Sequence, residues 1–409
     1  MAEKIAEKVV LAYSGGLDTS VAVKWLLEHK CNEVICVAID LGQGQELEEV
    51  QSKALKIGAS DSKVINVQKE FIEEYCFKAL KANANYQENY PLATALARPL
   101  IAKILVDIAH EYNADAISHG CTGKGNDQVR FDLSIMALDP KLKIIAPARE
   151  WGMSREDCID YAEKNDIPIP ISKKKPYSID LNLWGRSAEC GILEDATVEP
   201  PEDAYGMTMS PQAAPDEPEY IKISFEKGVP VKLNGKNYGA IELVEELNKI
   251  AGKHGVGRID KIEDRVVGIK SREIYEAPAA VVLGQAHKEL EYLVMTKNHK
   301  SFKNLLDEKY SELVYQGYWF EPLRVAIDAF MDQSQEHVTG DIELKLYKGS
   351  STIASRKSPY SLYDKGLATY DKDDEFNHMS AVGFIELYGM SMKTHAIVAN
   401  AVENPAAAK

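Results

Sequence analysis

The residues best placed to do chemistry lie near the amino terminus, in Ala12-Tyr13-Ser14-Gly15-Gly16-Leu17-Asp18-Thr19-Ser20. The apolar run Val9 to Tyr13 reads as a strand, the adjacent glycines as a sharp turn, and Asp-Thr-Ser as the opening of an amphipathic helix. Paired glycines let bare N–H groups approach a ligand, and the helix that follows turns its positive end to the same point. Ser14, Thr19 and Ser20 add hydroxyls. Such a loop suits a multiply charged anion, a nucleotide diphosphate for example. It is neither a Walker loop, which requires a Gly-Lys-Ser/Thr ending, nor a Gly-x-Gly-x-x-Gly fingerprint. Gly42-Gln43-Gly44 lacks the third glycine of that fingerprint and reads as a simple turn.

A second polar, glycine-rich stretch runs from His119 to Arg130. It follows the strand-like Ala116–His119, so it belongs at the same sheet edge as the first loop. Asn126 can donate and accept, Arg130 can grip a carboxylate with two N–H groups, and Asp127 can hold an ammonium. A ligand with α-amino and carboxylate groups would use all three. Lys253 to Asp260, then Glu263 to Tyr275, form a third cluster, with Glu263 and Tyr275 flanking a short apolar strand at Arg265–Ile269. His254 alone reads as a packed histidine.

The elements that must position these groups alternate. Strand-like Val9–Tyr13, Val34–Leu41, Val64–Val67, Ala116–His119 and Ile144–Ala146 are separated by helical Leu47–Ile57, Glu70–Ala82, Ala97–Tyr112 and Arg155–Asn165. This order predicts an α/β domain with a parallel sheet covered on both faces, and ligands at the carboxyl ends of its strands. The prolines of Ile167-Pro168-Ile169-Pro170 mark a crossover to a second unit. Glu194 to Glu219, with five prolines, eight acids and no Lys or Arg, reads as a long surface loop. From Tyr220 an α+β pattern follows: strands at Ile221–Phe225 and Val229–Leu233, helices near Ile241–Lys253 and Pro278–Thr296, and a hairpin of Ile342–Tyr347 with Ser351–Ser355. The apolar stretch from Gly383 to about Asn400 reads as an arm that docks on another subunit.

A chain of 409 residues is long for one core. Its net charge of −15 opposes a nucleic-acid surface. The six cysteines show no zinc spacing and sit mostly in apolar surroundings, as reduced thiols do. No apolar run reaches membrane-spanning length, and the charged start leads directly into the first strand, so a cytoplasmic protein with no membrane contact is expected.

The first loop resembles that of the N-type ATP pyrophosphatases, which split ATP into AMP and pyrophosphate. AYSGGLDTS at 12–20, LARPLIAK at 96–103, HGCTGKGNDQVRF at 119–131, IAPARE at 145–150, AGKHGVGRID at 251–260, KSREIYEAPA at 270–279 and ELVYQGYW at 312–319 together resemble the argininosuccinate synthase family. The resemblance implies an adenine nucleotide alpha hydrolase-like domain (1–168), an α+β synthetase domain (169–370) and a carboxyl-terminal oligomerisation arm (371–409). It implies an ATP-dependent ligation of citrulline and aspartate with Mg²⁺, by a homotetramer. Ala12, Tyr13, Ser14, Gly15, Gly16, Leu17, Asp18, Thr19, Ser20 and Gly120 would hold ATP, with the backbone near Ile39 meeting the adenine. Thr122, Asn126 and Asp127 would bind aspartate. Citrulline would fall to Tyr90, Asn126, Arg130, Ser178, Ser187, Glu263 and Tyr275. Ala95 stands where some family members place a serine, and the resemblance does not identify metal ligands. An RNA thiolase sharing the ATP loop would instead need a reactive cysteine pair and a basic face.

Overall fold

The computed structural model describes residues 4–44, 47–168 and 177–403, and divides them into one large unit ending at Tyr360 and a second beginning at Ser361. The large unit opens with strands β1 (Lys8–Ala12), β2 (Glu33–Asp40), β3 (Asp61–Asn66), β4 (Ala116–Ser118) and β5 (Lys143–Ile145). All pairings are parallel, in the order β3-β2-β1-β4-β5. Val9, Val10 and Leu11 of the central strand are wholly buried, as helices on both faces require. The loops after β1 and β4 therefore leave the same edge side by side. That adjacency, rather than any feature of either loop, brings the two glycine-rich stretches together.

The rest of the unit adds β6 (Ser178–Asn182), β7 (Gly185–Glu189), β8 (Glu219–Glu226), β9 (Val229–Leu233), β10 (Lys236–Asn237), β11 (Arg258–Asp264), β12 (Lys270–Glu276), β13 (Gly340–Tyr347) and β14 (Ser350–Lys357). They form two antiparallel sheets, β10-β9-β8-β13-β14 and β11-β12-β7-β6. In the first, Ile221, Ile223 and Phe225 of β8 and Ile342, Leu344 and Leu346 of β13 turn inward at every second position. The helices Ala240–Lys253 and Pro278–Val294 pack against this sheet.

Two expectations change. Arg265–Ile269 is the turn between β11 and β12, its ends tied by Arg265 N–H to the Ile269 carbonyl at 2.8 Å. Gly268, with φ +88°, breaks the run that its valines suggested. The stretch Glu194–Glu219 is not wholly a surface loop, because Ala204 and Ala214 are buried within it. Its anchor is the fully buried Glu276 carboxylate, which accepts from the backbone N–H groups of Gly206, Met207 and Thr208, the Thr208 hydroxyl and Arg186 Nη1. A carboxylate so surrounded is satisfied without water. The crossover at 167–170 continues into residues outside those described.

The second unit carries helices His378–Tyr388 and Met390–Glu403. Phe384, Ile385, Leu387, Tyr388 and Met392 are exposed on them. Four cysteines of the chain, Cys31, Cys36, Cys76 and Cys158, are buried, and none of the six forms a disulfide.

Glu276→Gln leaves the buried Arg186 guanidinium without its anion and sets an amide N–H₂ against donors. We expect a loss of about 3–5 kcal/mol in stability, as for other broken buried pairs, read from the denaturant midpoint. An unchanged midpoint would show that the loop is anchored elsewhere.

Candidate active site

Gly15 adopts φ +74°, which a side chain rarely tolerates, and a Cβ there would come within 3.1 Å of Val50. Lys53 Nζ fixes the turn by donating to the Gly15 carbonyl at 2.6 Å. The Ser14 and Thr19 hydroxyls lie 3.1 Å apart across the loop mouth, and Gly16 N–H points toward Ser14 Oγ at 3.4 Å. Helix Leu17–His29 starts here, so its first N–H groups face the same space. Burial raises the Asp18 carboxyl above its ordinary value, with Arg155 acting in the opposite sense.

From the β4 edge, helix Asn126–Leu138 presents Asn126 and Asp127 on its first turn and Arg130 at the start of its second. Asp127 is clamped between two guanidiniums, Arg98 Nη2 at 2.8 Å and Arg130 Nη1 at 2.9 Å. Burial pushes its carboxyl up, but the two arginines more than offset this and hold it below the usual range. With a folded value below the unfolded one, this group's stabilisation is complete above the unfolded pKa. It is lost only as pH falls through the lowered value. Arg98 also pairs with Asp180. Arg130 Nε donates to the Tyr315 carbonyl at 2.9 Å and its guanidinium lies 4.8 Å from that ring, while the buried Nη2 has no partner among the described residues. A buried guanidinium nitrogen left open is a receptor for a carboxylate oxygen.

The antiparallel sheet closes the opposite wall. Strand alternation puts Glu263 of β11, Glu273 and Tyr275 of β12, Ser187 and Glu189 of β7, and Ser178 and Asp180 of β6 among the cleft-lining residues. Tyr275 and Tyr315 each donate a hydroxyl to a different oxygen of Glu263, both at 2.6 Å. Tyr90 stacks on Tyr275 with ring centres 4.0 Å apart and accepts Thr94 N–H at 3.2 Å. Asn126 Nδ2 donates to the Tyr315 hydroxyl at 2.8 Å, and its carbonyl accepts Val266 N–H at 2.8 Å. Gly317 makes this approach possible, since a Cβ there would stand 2.9 Å from the Arg130 Cα.

These walls enclose one cleft of about 840 Å³. Among the expected site residues it is lined by Ala12, Tyr13, Ser14, Gly16, Leu17, Asp18, Thr19, Ile39, Tyr90, Gly120, Asn126, Asp127, Arg130, Ser178, Ser187, Glu263 and Tyr275. Gly15, Ser20 and Thr122 do not line it. Ser20 is buried, its hydroxyl 3.2 Å from that of Tyr13. Ala95 is buried away from the cleft, whereas Thr94 lines it. His254 is packed against Glu219 at 3.0 Å, as a structural histidine.

Residues that sequence reasoning did not assign are Arg98, Asp180, Glu189, Arg265, Glu273 and Tyr315. Arg98 and Tyr315 lie inside the segments LARPLIAK and ELVYQGYW, so their presence was visible and their roles were not. Arg265 was hidden by reading its turn as a strand. Tyr315→Phe would strip a partner from both Glu263 and Asn126, which are buried with it. We expect about 1–3 kcal/mol of lost stability, read by thermal melting, and a wild-type melting temperature would show that water replaces the hydroxyl.

Residues 8–168 match the arginosuccinate synthase N-terminal HUP domain and residues 177–395 the arginosuccinate synthase C-terminal domain. The chain is 57% identical to an argininosuccinate synthase of Halalkalibacterium halodurans over 392 residues, covering 96% of both. It is likewise 57% identical to that of Geobacillus kaustophilus over 391 residues, again 96% of both, and 58% identical to that of Nostoc punctiforme over 386 residues, 94% of this chain and 96% of the relative. With both halves of the cleft inside these matches, the chain belongs to the argininosuccinate synthase family.

Proposed function

We propose that this chain ligates L-citrulline to L-aspartate, splitting ATP to AMP and diphosphate through a citrullyl-adenylate, as a step of arginine biosynthesis. The observation that carries this reading is the meeting, in one cleft, of an anion loop and a pocket with the chemistry of an amino-acid head group. In our reading the loop Ala12–Ser20 and Gly120 hold ATP, with Gly15 acting through its backbone and Ser20 through Tyr13. Thr122, Asn126 and Asp127 bind aspartate. Tyr90, Asn126, Arg130, Ser178, Ser187, Glu263 and Tyr275 bind citrulline, whose carboxylate suits the open Nη2 of Arg130.

The roles follow from the reaction. A ureido oxygen leaves poorly, so it must first be attached to the α-phosphorus of ATP. The charge that then gathers on diphosphate falls on the loop hydroxyls, the N–H groups and the helix start. Asn126 touches both amino-acid sites and would align amine and carbon. Among the described residues no three acidic, histidine or cysteine side chains form a metal cage. We propose Mg²⁺ carried largely by nucleotide phosphates and water, with Asp18, Ser14 and Thr19, which line the cleft, as the side chains it would meet. When bound, it would neutralise phosphate charge.

The thiolase alternative finds no support in Cys121, which burial pushes far up from a reactive thiolate. We further propose domains at 1–168, 169–370 and 371–409, a homotetramer, and a cytoplasmic setting consistent with the buried free thiols. Among the described residues no helix is long and apolar enough to cross a membrane.

Purified protein should release AMP and diphosphate only when citrulline and aspartate are both present for full turnover, with argininosuccinate appearing in step. Release that ignores citrulline would overturn the assignment. For the arm, truncation before Gly383 should lower the assembly state on a sizing column, and an unchanged elution volume would remove the arm from the interface.

A further inference from the structure

Citrulline enters this reaction with a neutral ureido group, yet the product carries a guanidinium cation. The charge appears in the first step. The ureido oxygen bonds to the α-phosphorus, the bond from that phosphorus to its bridging oxygen breaks, and diphosphate leaves with the electron pair. No proton leaves the ureido group, which is left positive, its charge shared over two nitrogens. A site that stabilises this charge binds the activated state more tightly than citrulline itself.

The carboxylates lining the cleft are unequally placed to do so. Asp127 and Asp180 are two carboxylates matched by two cations, Arg98, which meets both, and Arg130 on Asp127. Glu263 spends both oxygens on tyrosine hydroxyls. Asp18 stands on the phosphate side, at the start of its helix. Glu189 and Glu273 are different: they share a single cation, Arg265 Nη2, at 2.7 Å from each. Arg265 is itself fixed by Ser271 Oγ at 2.8 Å and turned toward the Lys124 carbonyl at 3.3 Å. Glu273 is 6% exposed, lines the cleft, and its Oε2 makes no hydrogen bond with the described residues.

We propose that Glu189 and Glu273 form the site that stabilises the cationic ureido carbon of the activated intermediate, with Glu189 the catalytic carboxylate and Arg265 the positioning residue that holds both. The inference rests on the citrulline reading above. Among the described residues, Arg265 is the one cation in ion-pair range of either carboxylate. Lys261 stands opposite Glu273 in the ladder, but its ammonium is held by the Gln87 carbonyl and Asn89 Oδ1 at 2.8 and 2.7 Å. Glu263, Tyr275 and the Cys190 thiol add no positive charge. Burial and the neighbouring Glu189 push the Glu273 carboxyl up to about 8, against the pull of Arg265. With Glu273 raised in this way, an arriving cation would expel a proton from it.

The probe is arginine against citrulline, two molecules with the same head group and near-identical shape, of which only arginine is charged at the far end. Calorimetry on the full chain should show the wild type binding arginine at least as tightly as citrulline. It should also release up to one proton with arginine between about pH 7 and 8, measured across buffers of different ionisation enthalpy. Glu189→Gln should weaken arginine about tenfold or more while citrulline shifts less than about threefold, and kcat should fall with the arginine affinity. Glu273→Gln should abolish the proton release. Equal losses for both ligands, no loss for either, or a wild type that binds arginine about tenfold more weakly than citrulline would overturn the proposal. The wild-type comparison needs no variant to fold. A wild type that shows this binding pattern but makes no argininosuccinate would instead overturn the proposed function.

Discussion

The clamp of Arg98 and Arg130 on Asp127 is the interaction on which the cleft depends. Two buried guanidiniums in one pocket would repel each other and lose their hydration, and an isolated carboxylate there would take up a proton. Together they stay charged and fixed. Each arginine also reaches a different wall: Arg98 the antiparallel sheet through Asp180, Arg130 the end of helix Lys297–Tyr315 through the Tyr315 carbonyl. One carboxylate on the first turn of a helix thereby ties three separate elements of the large unit around the space where ligands would meet.

Around this clamp the geometry follows from simple periodicities. The parallel order β3-β2-β1-β4-β5 places two loops side by side without help from side chains. The alternation of β7 and β12 turns Ser187 and Glu189, Glu273 and Tyr275, to one face, while Ala188 and Ile274 pack on the other. The stacked pair Tyr90–Tyr275 lines the pocket, and the pair Tyr86–Tyr315, 3.4 Å between centres, stands behind it, with Tyr315 in edge contact with Tyr90. Charge and shape are thus set by different means, the first by paired ions and the second by rings with few rotamers.

Much of this was legible in the sequence where the determinant is local. The strand-loop-helix order around Ser14–Ser20, the parallel sheet and the helix Leu47–Ile57 could be read because each depends on neighbours along the chain. The family resemblance extended that reading to Glu263 and Tyr275. Arg98, Arg265 and Tyr315 could not be assigned, since each acts through a partner at least 29 residues away or across a turn misread as a strand. The acidic stretch Glu194–Glu219 failed for a related reason: composition reports what a segment cannot bury by itself. It says nothing of a carboxylate such as Glu276 waiting to receive its backbone.

The meeting of Tyr315 and Gly317 with Arg130 also bears on how the pocket comes into being during synthesis. Residues 8–145 hold all five parallel strands, and the ladder among them pairs only within that stretch, so the sheet can form before the later strands leave the ribosome. The cleft is different, since its wall draws on both Ser14 and Glu263, and Glu263 is itself held by Tyr315, some three hundred positions after the first loop. Contacts of such long sequence separation form late and slowly. A nascent chain would therefore hold a finished nucleotide fold well before it holds a finished amino-acid pocket.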